Sequence, residues 1–188
     1  DRLRDMVSNL RKEGLNSQQI ADELSLSQDT VSWLLAESTS NEKPQDVSIG
    51  WRTIGVRPQR IAAIGAILAD VTAEECGDSI DTIVGISING VLFANEVASQ
   101  LGCEVAIHRN VDGGPGKGAL SNKYGHVAGI RIAIVDDVLS TGVTMTRTIE
   151  AMREAGAEVA LCMVLVNKTV RNEIEGVPLR GIVRAALV

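Results

Sequence analysis

The feature that most constrains the fold is an alternation of short apolar runs with amphipathic segments in the second half of the chain. The runs cover residues 79–87, 104–110, 129–138 and 158–167. Strands that are apolar throughout are buried on both faces, and helices of about a dozen residues between them can cover a sheet. The pattern predicts an α/β fold, a parallel sheet with flanking helices built from right-handed βαβ units.

The composition is that of a globular chain with one main domain and a small attached module. Of its 188 residues, 45% are hydrophobic, yet no apolar run approaches the roughly 20 residues that cross a bilayer. No secretory apolar segment is found either, so we expect a cytoplasmic protein with no membrane partner. Cys76, Cys103 and Cys162 are far apart and form no CxxC pair, which predicts buried, reduced thiols.

The charge restricts the partners. A net charge of −6 argues against a polyanion as a general partner, because non-specific nucleic-acid binding depends on clustered Lys and Arg. Aromatic residues make up 2% of the chain, too few for a platform on which single-stranded bases stack. Any contact with DNA is therefore expected to be local.

The pattern divides the chain into three parts: residues 1–37 with helical periodicity, a polar linker at 38–54, and the α/β region at 55–188. The linker is expected to dock near its end through Ile49 and Trp51. A long helix is predicted to start at Pro58 and to carry one apolar face, formed by Ile61, Ile64, Ile67, Leu68 and Val71.

Two adjacent carboxylates follow the strand in the stretch IAIVDDVLSTGVT, Ile132–Thr144. Asp136 and Asp137 are expected at the carboxyl end of a parallel strand, where such sheets bind ligands. The next residues supply a tight turn, hydroxyls and the amides of a helix start, which together suit a phosphate monoester. They are Ser140, Thr141, Gly142, Val143 and Thr144.

The acids can accept hydrogen bonds from sugar hydroxyls and help to hold a hydrated Mg²⁺ through water. The structural alternative is that Asp136 and Asp137 cap a turn while the Ser and Thr residues cap the next helix.

This stretch resembles the phosphoribosyl pyrophosphate (PRPP) motif of the type I phosphoribosyltransferases over its whole length. The resemblance extends over about residues 55–188 and implies that family's fold. It also implies that Asp136 and Asp137 contact ribose hydroxyls and that the loop after them holds the 5′-phosphate. A second family feature, a loop that binds pyrophosphate through its backbone, corresponds to GISING, with Ser87, Ile88, Asn89 and Gly90 as ligand-binding residues. Taken alone, this stretch is equally typical of an ordinary strand-to-helix turn.

A long Gly-rich segment, residues 108–126, is the candidate for the family's mobile hood. In this region the family is similar to orotate phosphoribosyltransferase, and Arg109 matches its pattern as a ligand-binding residue. Asn110 and Val111 depart from the pattern, which puts catalysis in doubt. If the protein is an enzyme, the resemblance implies that Lys117, Lys123 or His126 assists the departure of pyrophosphate.

The N-terminal region has the apolar spacing of a helix-turn-helix, with Ser17 and Ser27 as expected helix caps. Ser25 stands where such motifs usually have Gly, a turn that Ser can adopt with some strain. The second helix should present its polar side chains to the major groove of DNA. The predicted DNA-binding residues are Ser27, Gln28, Asp29, Thr30, Ser32 and Trp33, of which Trp33 could equally pack on the linker.

The charge of this module opposes the DNA-binding interpretation. Residues 1–37 contain seven acids and four basic residues, whereas a DNA-binding module usually has a basic footprint. The alternative is a helical hairpin that serves dimer or domain contacts. We favour a small all-α helix-turn-helix module that binds a double-stranded DNA operator.

The combination of the two parts resembles an archaeal family of helix-turn-helix transcription regulators of sugar catabolism, as does the segment DVSIGWRTIG. The resemblance implies a homodimeric regulator whose ligand, PRPP or a related phosphorylated sugar or nucleotide, is bound with Mg²⁺ and changes DNA binding. The alternative is an active phosphoribosyltransferase that transfers ribose 5-phosphate to orotate or a purine base. A third, minor possibility is a ribose-phosphate-binding protein with neither activity.

Overall fold

The computed structural model describes residues 2–36, 44–110, 118–121 and 123–186. Within these residues the chain divides into two compact units, one inside residues 1–51 and the other formed by Arg52–Ala186. None of the described helices is long and apolar enough to cross a membrane.

The first unit contains three short helices, α1 (Arg2–Lys12), α2 (Ser17–Leu24) and α3 (Gln28–Leu35). Their apolar faces meet in one small core, because each helix is too short to be stable without such packing. The buried members of this core are Val7, Ile20, Ala21, Leu26, Val31 and Leu34. Of the positions that the helix-turn-helix spacing predicts as buried, Ile20, Ala21, Leu26, Val31 and Leu34 are buried, whereas Leu24 is half-buried.

The turn between α2 and α3 is defined by the residue that ends α2 and the residue that caps α3. Ser25 adopts the left-handed conformation with φ of 51°, as expected where a helix-turn-helix usually has Gly. The Ser27 side chain caps α3 by accepting a hydrogen bond from the Thr30 amide at 3.1 Å, which confirms that prediction. Ser17 is not the cap of α2. Asn16 is, because its side chain and that of Gln19 form a reciprocal capping box.

The second unit is a seven-stranded sheet with helices on both faces. The helices are α4 (Arg52–Gly55), α5 (Pro58–Cys76), α6 (Gly90–Leu101) and α7 (Val143–Glu154). The strands are β1 (Thr82–Ile86), β2 (Glu104–Asn110), β3 (Gly118–Leu120), β4 (Arg131–Leu139), β5 (Glu158–Asn167), β6 (Glu173–Ile174) and β7 (Val177–Arg184). Five of these strands run parallel, and β3 and β6 pair antiparallel at the two ends.

The strand order is β3-β2-β1-β4-β5-β7-β6, so the chain leaves β1 towards β2 and later returns to add β4 on the other side of β1. The crossover helices α6 and α7 consequently diverge above β1 and β4. A crevice at the carboxyl ends of two such strands is where open parallel sheets bind their ligands. The topology therefore locates the candidate site between β1 and β4.

Several sequence-based boundaries need correction. Strand β4 covers Arg131–Leu139, so it begins two residues later and ends one residue later than the predicted run at 129–138, and like that run it contains both acids. The helix after Pro58 begins as predicted, but Ile67 is 47% exposed and the predicted apolar face is incomplete. Cys162 is buried, whereas Cys76 and Cys103 are half-buried, and all three are free thiols. The first residues of α4 fall inside the predicted linker.

Candidate functional site

The loop after β1 packs directly against β4. A Cβ built on Gly90 would lie 2.3 Å from the Val135 carbonyl oxygen and 3.0 Å from Asp136 Cα, so this position accepts no side chain. Gly85 is equally crowded by α6, since its Cβ would lie 2.9 Å from the Ala94 Cβ. The two glycines let α6 start against the backbone that carries the acids, which brings two distant sequence motifs together.

The 87–90 loop presents backbone and side chains towards solvent at the carboxyl end of β1. The Ser87 amide donates to the His108 carbonyl at 2.8 Å, which fixes the loop to β2, and the Ser87–Ile88 peptide bond is cis. Ile88 is 82% exposed although it is apolar, and Ser87 and Asn89 are half-buried. The loop is therefore held in place at both ends while its middle remains accessible.

Asp136 and Asp137 differ in environment although they are adjacent. Side chains alternate across a strand, so the two carboxylates point to opposite faces of the sheet. Asp136 is half-buried and its Oδ1 accepts the Asp137 amide at 2.9 Å, while Asp137 is 5% exposed. Two carboxylates on opposite faces cannot chelate one ion together, but each can contact a different part of a bound ligand.

The 140–144 loop leads into α7 without a side-chain cap. Gly142 is the N-cap residue, with φ of 90°, a left-handed conformation that favours glycine. The nearest hydroxyl is Thr141 Oγ1, which lies 3.5 Å from the Val143 amide, at the limit of a hydrogen bond. The predicted alternative, in which the Ser and Thr residues cap the helix, is thus not supported. The first-turn amides of α7 are left to bind a ligand anion.

Arg171 was not predicted and lies beside this loop. A Cβ on Gly142 would lie 3.1 Å from Arg171 Nη1, so the guanidinium approaches the N-terminus of α7. Its segment follows β5 at the carboxyl end of the sheet, but the sequence gives no signal for its nearness to residues 140–144. The contact depends on β7 pairing with β5, which turns the chain back after residue 167.

The predicted hood residues Lys123 and His126, which the structure describes, do not lie over the acids. Lys117 lies outside the described residues, and Arg109 is exposed on β2 opposite Ala119 of β3. The His126 carbonyl accepts a hydrogen bond from Thr82 Oγ1 at 3.4 Å, at the first residue of β1. Ser87 follows β1 and is five residues beyond Thr82. At about 3.3 Å per residue, His126 therefore lies roughly 16 Å from the loop at the carboxyl end of β1.

Lys123 lies in the segment between β3 and β4, as His126 does. The Ser121 amide donates to the Ile107 carbonyl and the Gly125 amide to the Val105 carbonyl, so the chain runs back along β2 towards its start. The pairing with β2 therefore carries Lys123 and His126 away from the carboxyl ends of the strands in this structure. Their role in the departure of pyrophosphate stays a prediction.

His108 is buried between β2 and α7. It is 1% exposed, and its Nδ1 lies 3.3 Å from Thr148 Oγ1, while Nε2 is buried with no hydrogen-bond partner among the described residues. Burial without a counter-charge disfavours the imidazolium ion and lowers the pKa of His108 below its ordinary value. His108 is thus a neutral residue behind the site, and the sequence pattern did not distinguish it from its neighbours.

The predicted DNA-facing residues of α3 divide into two groups. Gln28, Asp29 and Ser32 are exposed, and Ser27 is half-buried as the helix cap. Thr30 is 4% exposed with its hydroxyl 2.8 Å from the Ser27 hydroxyl, so the expectation that it is exposed is wrong. It faces the helical core instead.

Trp33 is half-buried and packs against the same core, with the Arg4 guanidinium 5.4 Å from its ring centroid. The Arg4 side chain also donates to the Ala36 carbonyl at 3.3 Å. Trp33 therefore joins α1 to α3, and its prediction as an exposed groove residue needs correction.

The linker segment after residue 43 packs on the helices of the first unit. The Ser27 amide donates to Asp46 Oδ2 at 2.7 Å, and the Ser48 hydroxyl donates to the Leu24 carbonyl at 3.3 Å. Asp46 thus places a carboxylate at the N-terminus of α3, where the helix dipole favours negative charge. Within this unit the linker contacts the end of the helix that is predicted to approach DNA.

A protein-only metal site is not found in the described parts of the chain. No group of three or more His, Cys, Asp or Glu residues is placed to hold a metal ion there. Mg²⁺ is commonly bound by one or two carboxylates together with the phosphates of a substrate. A single carboxylate, that of Asp136 or of Asp137, fits an ion of that kind and not a metal held by the protein alone.

The comparisons with known proteins agree with this geometry. A model of the phosphoribosyl transferase domain matches residues 50–178. Transcriptional regulator GfcR of Thermoplasma acidophilum is 37% identical over 183 residues, 95% of this chain and 92% of that protein. Transcriptional regulator GfcR 1 of Methanosarcina barkeri is 39% identical over 186 residues, 93% of this chain and 91% of that protein.

Among solved structures, orotate phosphoribosyltransferase from Aeropyrum pernix has a similar fold, with a TM-score of 0.63 and 21% identity over 78% of this chain and 83% of that one. The predicted fold, a parallel sheet of the type I phosphoribosyltransferase kind preceded by a helical module, is thereby confirmed.

Proposed function

This chain belongs to the phosphoribosyl transferase domain family and to the family of the GfcR transcriptional regulators, and we propose that it regulates transcription in response to a phosphorylated sugar ligand. The relatives that match nearly the whole chain are named as transcriptional regulators, which supports the regulatory role. The finer proposal is that the N-terminal unit binds a DNA operator and that PRPP or a related ligand binds at the carboxyl ends of β1 and β4.

The observation that carries the ligand proposal is the contact between Gly90 and the backbone at Asp136. It joins a loop suited to pyrophosphate, a carboxylate pair suited to ribose hydroxyls and a helix N-terminus suited to a 5′-phosphate. PRPP has those three groups in one molecule. The close approach of Gly90 to Asp136 supports a ligand that spans the first two groups, and the 140–144 loop follows the acids directly in the chain.

Mg²⁺ is part of this proposal as a companion of the ligand. When bound, it would neutralise charge on the phosphates, with Asp136 or Asp137 contacting it through water. The protein residues themselves orient the sugar hydroxyls and the 5′-phosphate.

The DNA proposal rests on the first unit. The exposed side chains of Gln28 and Ser32 on α3 can form hydrogen bonds with base edges in the major groove. Two-fold operators are recognised by dimers of such modules, so we propose a homodimer that acts in the cytoplasm. The ligand would then change DNA affinity by binding one state of the dimer better than another.

A regulator is favoured over an active phosphoribosyltransferase by the positions of Lys123 and His126. An enzyme of this class needs cations that stabilise charge on departing pyrophosphate. Lys123 and His126 lie along β2 and near the start of β1, away from the acids. The described residues of the ligand site are thus better equipped for binding than for turnover.

The test combines two measurements on the whole protein. A gel shift on the DNA upstream of its own coding sequence, with and without PRPP and Mg²⁺, measures DNA binding and its response. Release of pyrophosphate from PRPP in the presence of orotate, adenine, guanine and hypoxanthine measures turnover. We expect a PRPP-dependent change in the shift and no base-dependent release. Robust turnover without a gel shift would support the enzyme instead.

A further inference from the structure

The segment after β5 is built to hold one arginine in a defined place. Asn167, which is 1% exposed, donates from Nδ2 to the Arg171 carbonyl at 2.9 Å, and its Oδ1 accepts from the Thr169 amide at 2.8 Å. The Thr169 hydroxyl accepts the Arg171 amide at 3.1 Å. The backbone of Arg171 is therefore held on both sides by a buried amide side chain and its neighbour.

A second arginine supports the same segment from β7. Arg184 donates to the Val170 carbonyl at 3.1 Å and to the Arg171 carbonyl at 3.2 Å. The Lys168 amide donates to the Leu139 carbonyl at 2.9 Å, which joins the segment to the end of β4. An exposed loop with this number of side-chain contacts to its backbone has little freedom to move.

The guanidinium of Arg171 is directed towards the N-terminus of α7. Its Nη1 would lie 3.1 Å from a Cβ on Gly142, the N-cap residue of that helix. Arginine side chains in proteins commonly pair with carboxylates. Within the described part of the chain, however, the guanidinium of Arg171 forms no hydrogen bond or ion pair. A fixed backbone thus carries an unpaired cation beside a helix start with uncapped amides.

We infer that Arg171 is a ligand-binding residue that grips the phosphate group held by the 140–144 loop. The inference rests on the proposed function, because it concerns the same site. A guanidinium can donate two parallel hydrogen bonds to phosphate oxygens, and the helix amides can bind the remaining oxygens. The site therefore selects a dianionic phosphate ester over an uncharged sugar, and Arg171 supplies the full positive charge that Ser140, Thr141 and Thr144 lack.

A purely structural role is the competing explanation. A Cβ on Gly142 would also lie 2.9 Å from the Ile174 Cδ1, so the arginine stem could simply cover that buried side chain. The two roles differ in what a neutral replacement changes. Loss of packing lowers stability without ligand, whereas loss of a phosphate contact lowers affinity for phosphate esters.

The experiment measures binding of PRPP with Mg²⁺, ribose 5-phosphate and inorganic phosphate by calorimetry, to the whole chain and to three variants. Arg171→Gln removes the charge, and Arg171→Lys keeps the charge without the planar fork. Arg131→Gln is the matched control, because Arg131 lies at the amino end of β4, away from the candidate site at the carboxyl ends of the strands, and is paired with Glu158. Thermal unfolding without ligand is recorded for each protein.

We expect Arg171→Gln to weaken ribose 5-phosphate and PRPP about tenfold or more, the loss of one charge-assisted contact. Arg171→Lys should lose less, and Arg131→Gln should stay within about twofold of the unmodified chain. Unchanged affinity in Arg171→Gln, or a loss matched by Arg131→Gln, would overturn the inference.

The two proposals fail in different ways. If the unmodified chain binds none of the PRPP offered but binds inorganic phosphate, and Arg171→Gln loses that binding, then the ligand proposal fails and Arg171 remains a phosphate contact. If it binds neither PRPP nor either phosphate probe, both proposals are overturned.

Discussion

Gly90 and Val135 are in direct backbone contact: a Cβ at Gly90 would lie 2.3 Å from the Val135 carbonyl oxygen. The backbone can move little at either residue, because Val135 lies inside β4 and Gly90 begins α6. We expect Gly90→Ala to push the 87–90 loop away from Asp136. The free energy of unfolding should fall by about 1–3 kcal/mol, the usual cost of overpacking, and PRPP affinity should fall with it.

Urea unfolding and calorimetric titration with PRPP check this prediction. Gly50→Ala is the control, since a Cβ on Gly50 meets no atom within 4 Å. If Gly90→Ala keeps both its stability and its PRPP affinity, the close approach of the loop to β4 is not required.

Replacing Asp136 and Asp137 together by Asn should remove PRPP binding and preserve the fold. Asn keeps the size of each side chain but loses the charge that strengthens hydrogen bonds to sugar hydroxyls and holds hydrated Mg²⁺. We expect a loss of more than about 100-fold in affinity, measured by calorimetry.

A double variant Asp70→Asn and Asp78→Asn removes the same charge from exposed positions in the same unit. It should bind PRPP like the unmodified chain. Equal losses in both double variants would mean that general charge, and not the site, governs binding.

The buried His108 predicts how stability depends on pH. Its pKa is lowered in the folded chain by burial, so below the ordinary pKa near 6.5 the unfolded chain takes up a proton that the folded chain does not. This contribution to stability is complete above pH ~6.5 and is lost as the pH falls from there towards the lowered pKa.

We expect His108→Gln, which does not titrate and can still bond to Thr148, to lose less stability between pH 7.5 and 5.5 than the unmodified chain. Denaturant unfolding at a series of pH values measures this. The chain has two histidines, and the exposed His126 provides the matched variant, His126→Gln, which should follow the unmodified curve. Parallel curves for all three proteins would contradict the assignment.

Asp46 is expected to weaken the DNA binding that we propose. Its carboxylate accepts the Ser27 amide at the N-terminus of α3, close to where a DNA phosphate would approach. Asp46→Asn keeps an oxygen that can accept the same hydrogen bond and removes the repulsive charge. DNA affinity in a fluorescence-anisotropy titration should rise by roughly two- to fivefold, more at low salt.

Glu23→Gln, at an exposed position of α2, removes one negative charge elsewhere in the same unit and should have a smaller effect. A fall in affinity for Asp46→Asn would show instead that the carboxylate supports the recognition helix.

Much of the fold could be predicted because the local pattern and the tertiary structure agree. Strands β2 and β5 have the predicted bounds, since apolar runs buried on both faces leave little choice of conformation. Pro58 begins α5 and Gly102 ends α6, as backbone preferences require. The short strands β3 and β6 were missed, because two or three residues show no period of their own.

The candidate site was predicted in part for the same reason. Asp136, Asp137 and the 140–144 loop are neighbours in sequence, so one motif describes them. Arg171 comes about thirty residues later, and its position beside Gly142 follows from strand pairing across β5 and β7. Thr30 is polar and was therefore expected to be exposed. Its hydroxyl forms a hydrogen bond with the Ser27 hydroxyl, which allows the side chain to be buried.

The sequence alone therefore determined the strand and helix pattern, the spacing of the three N-terminal helices and the position of the candidate phosphate loop, because each depends on contacts between residues close in the chain. The tertiary structure decided which distant groups meet. It placed Gly90 against Val135, Arg171 beside Gly142 and Asp46 on Ser27, and it carried His126 to the far end of β1. Such distances follow from strand order and close packing, which no local pattern specifies.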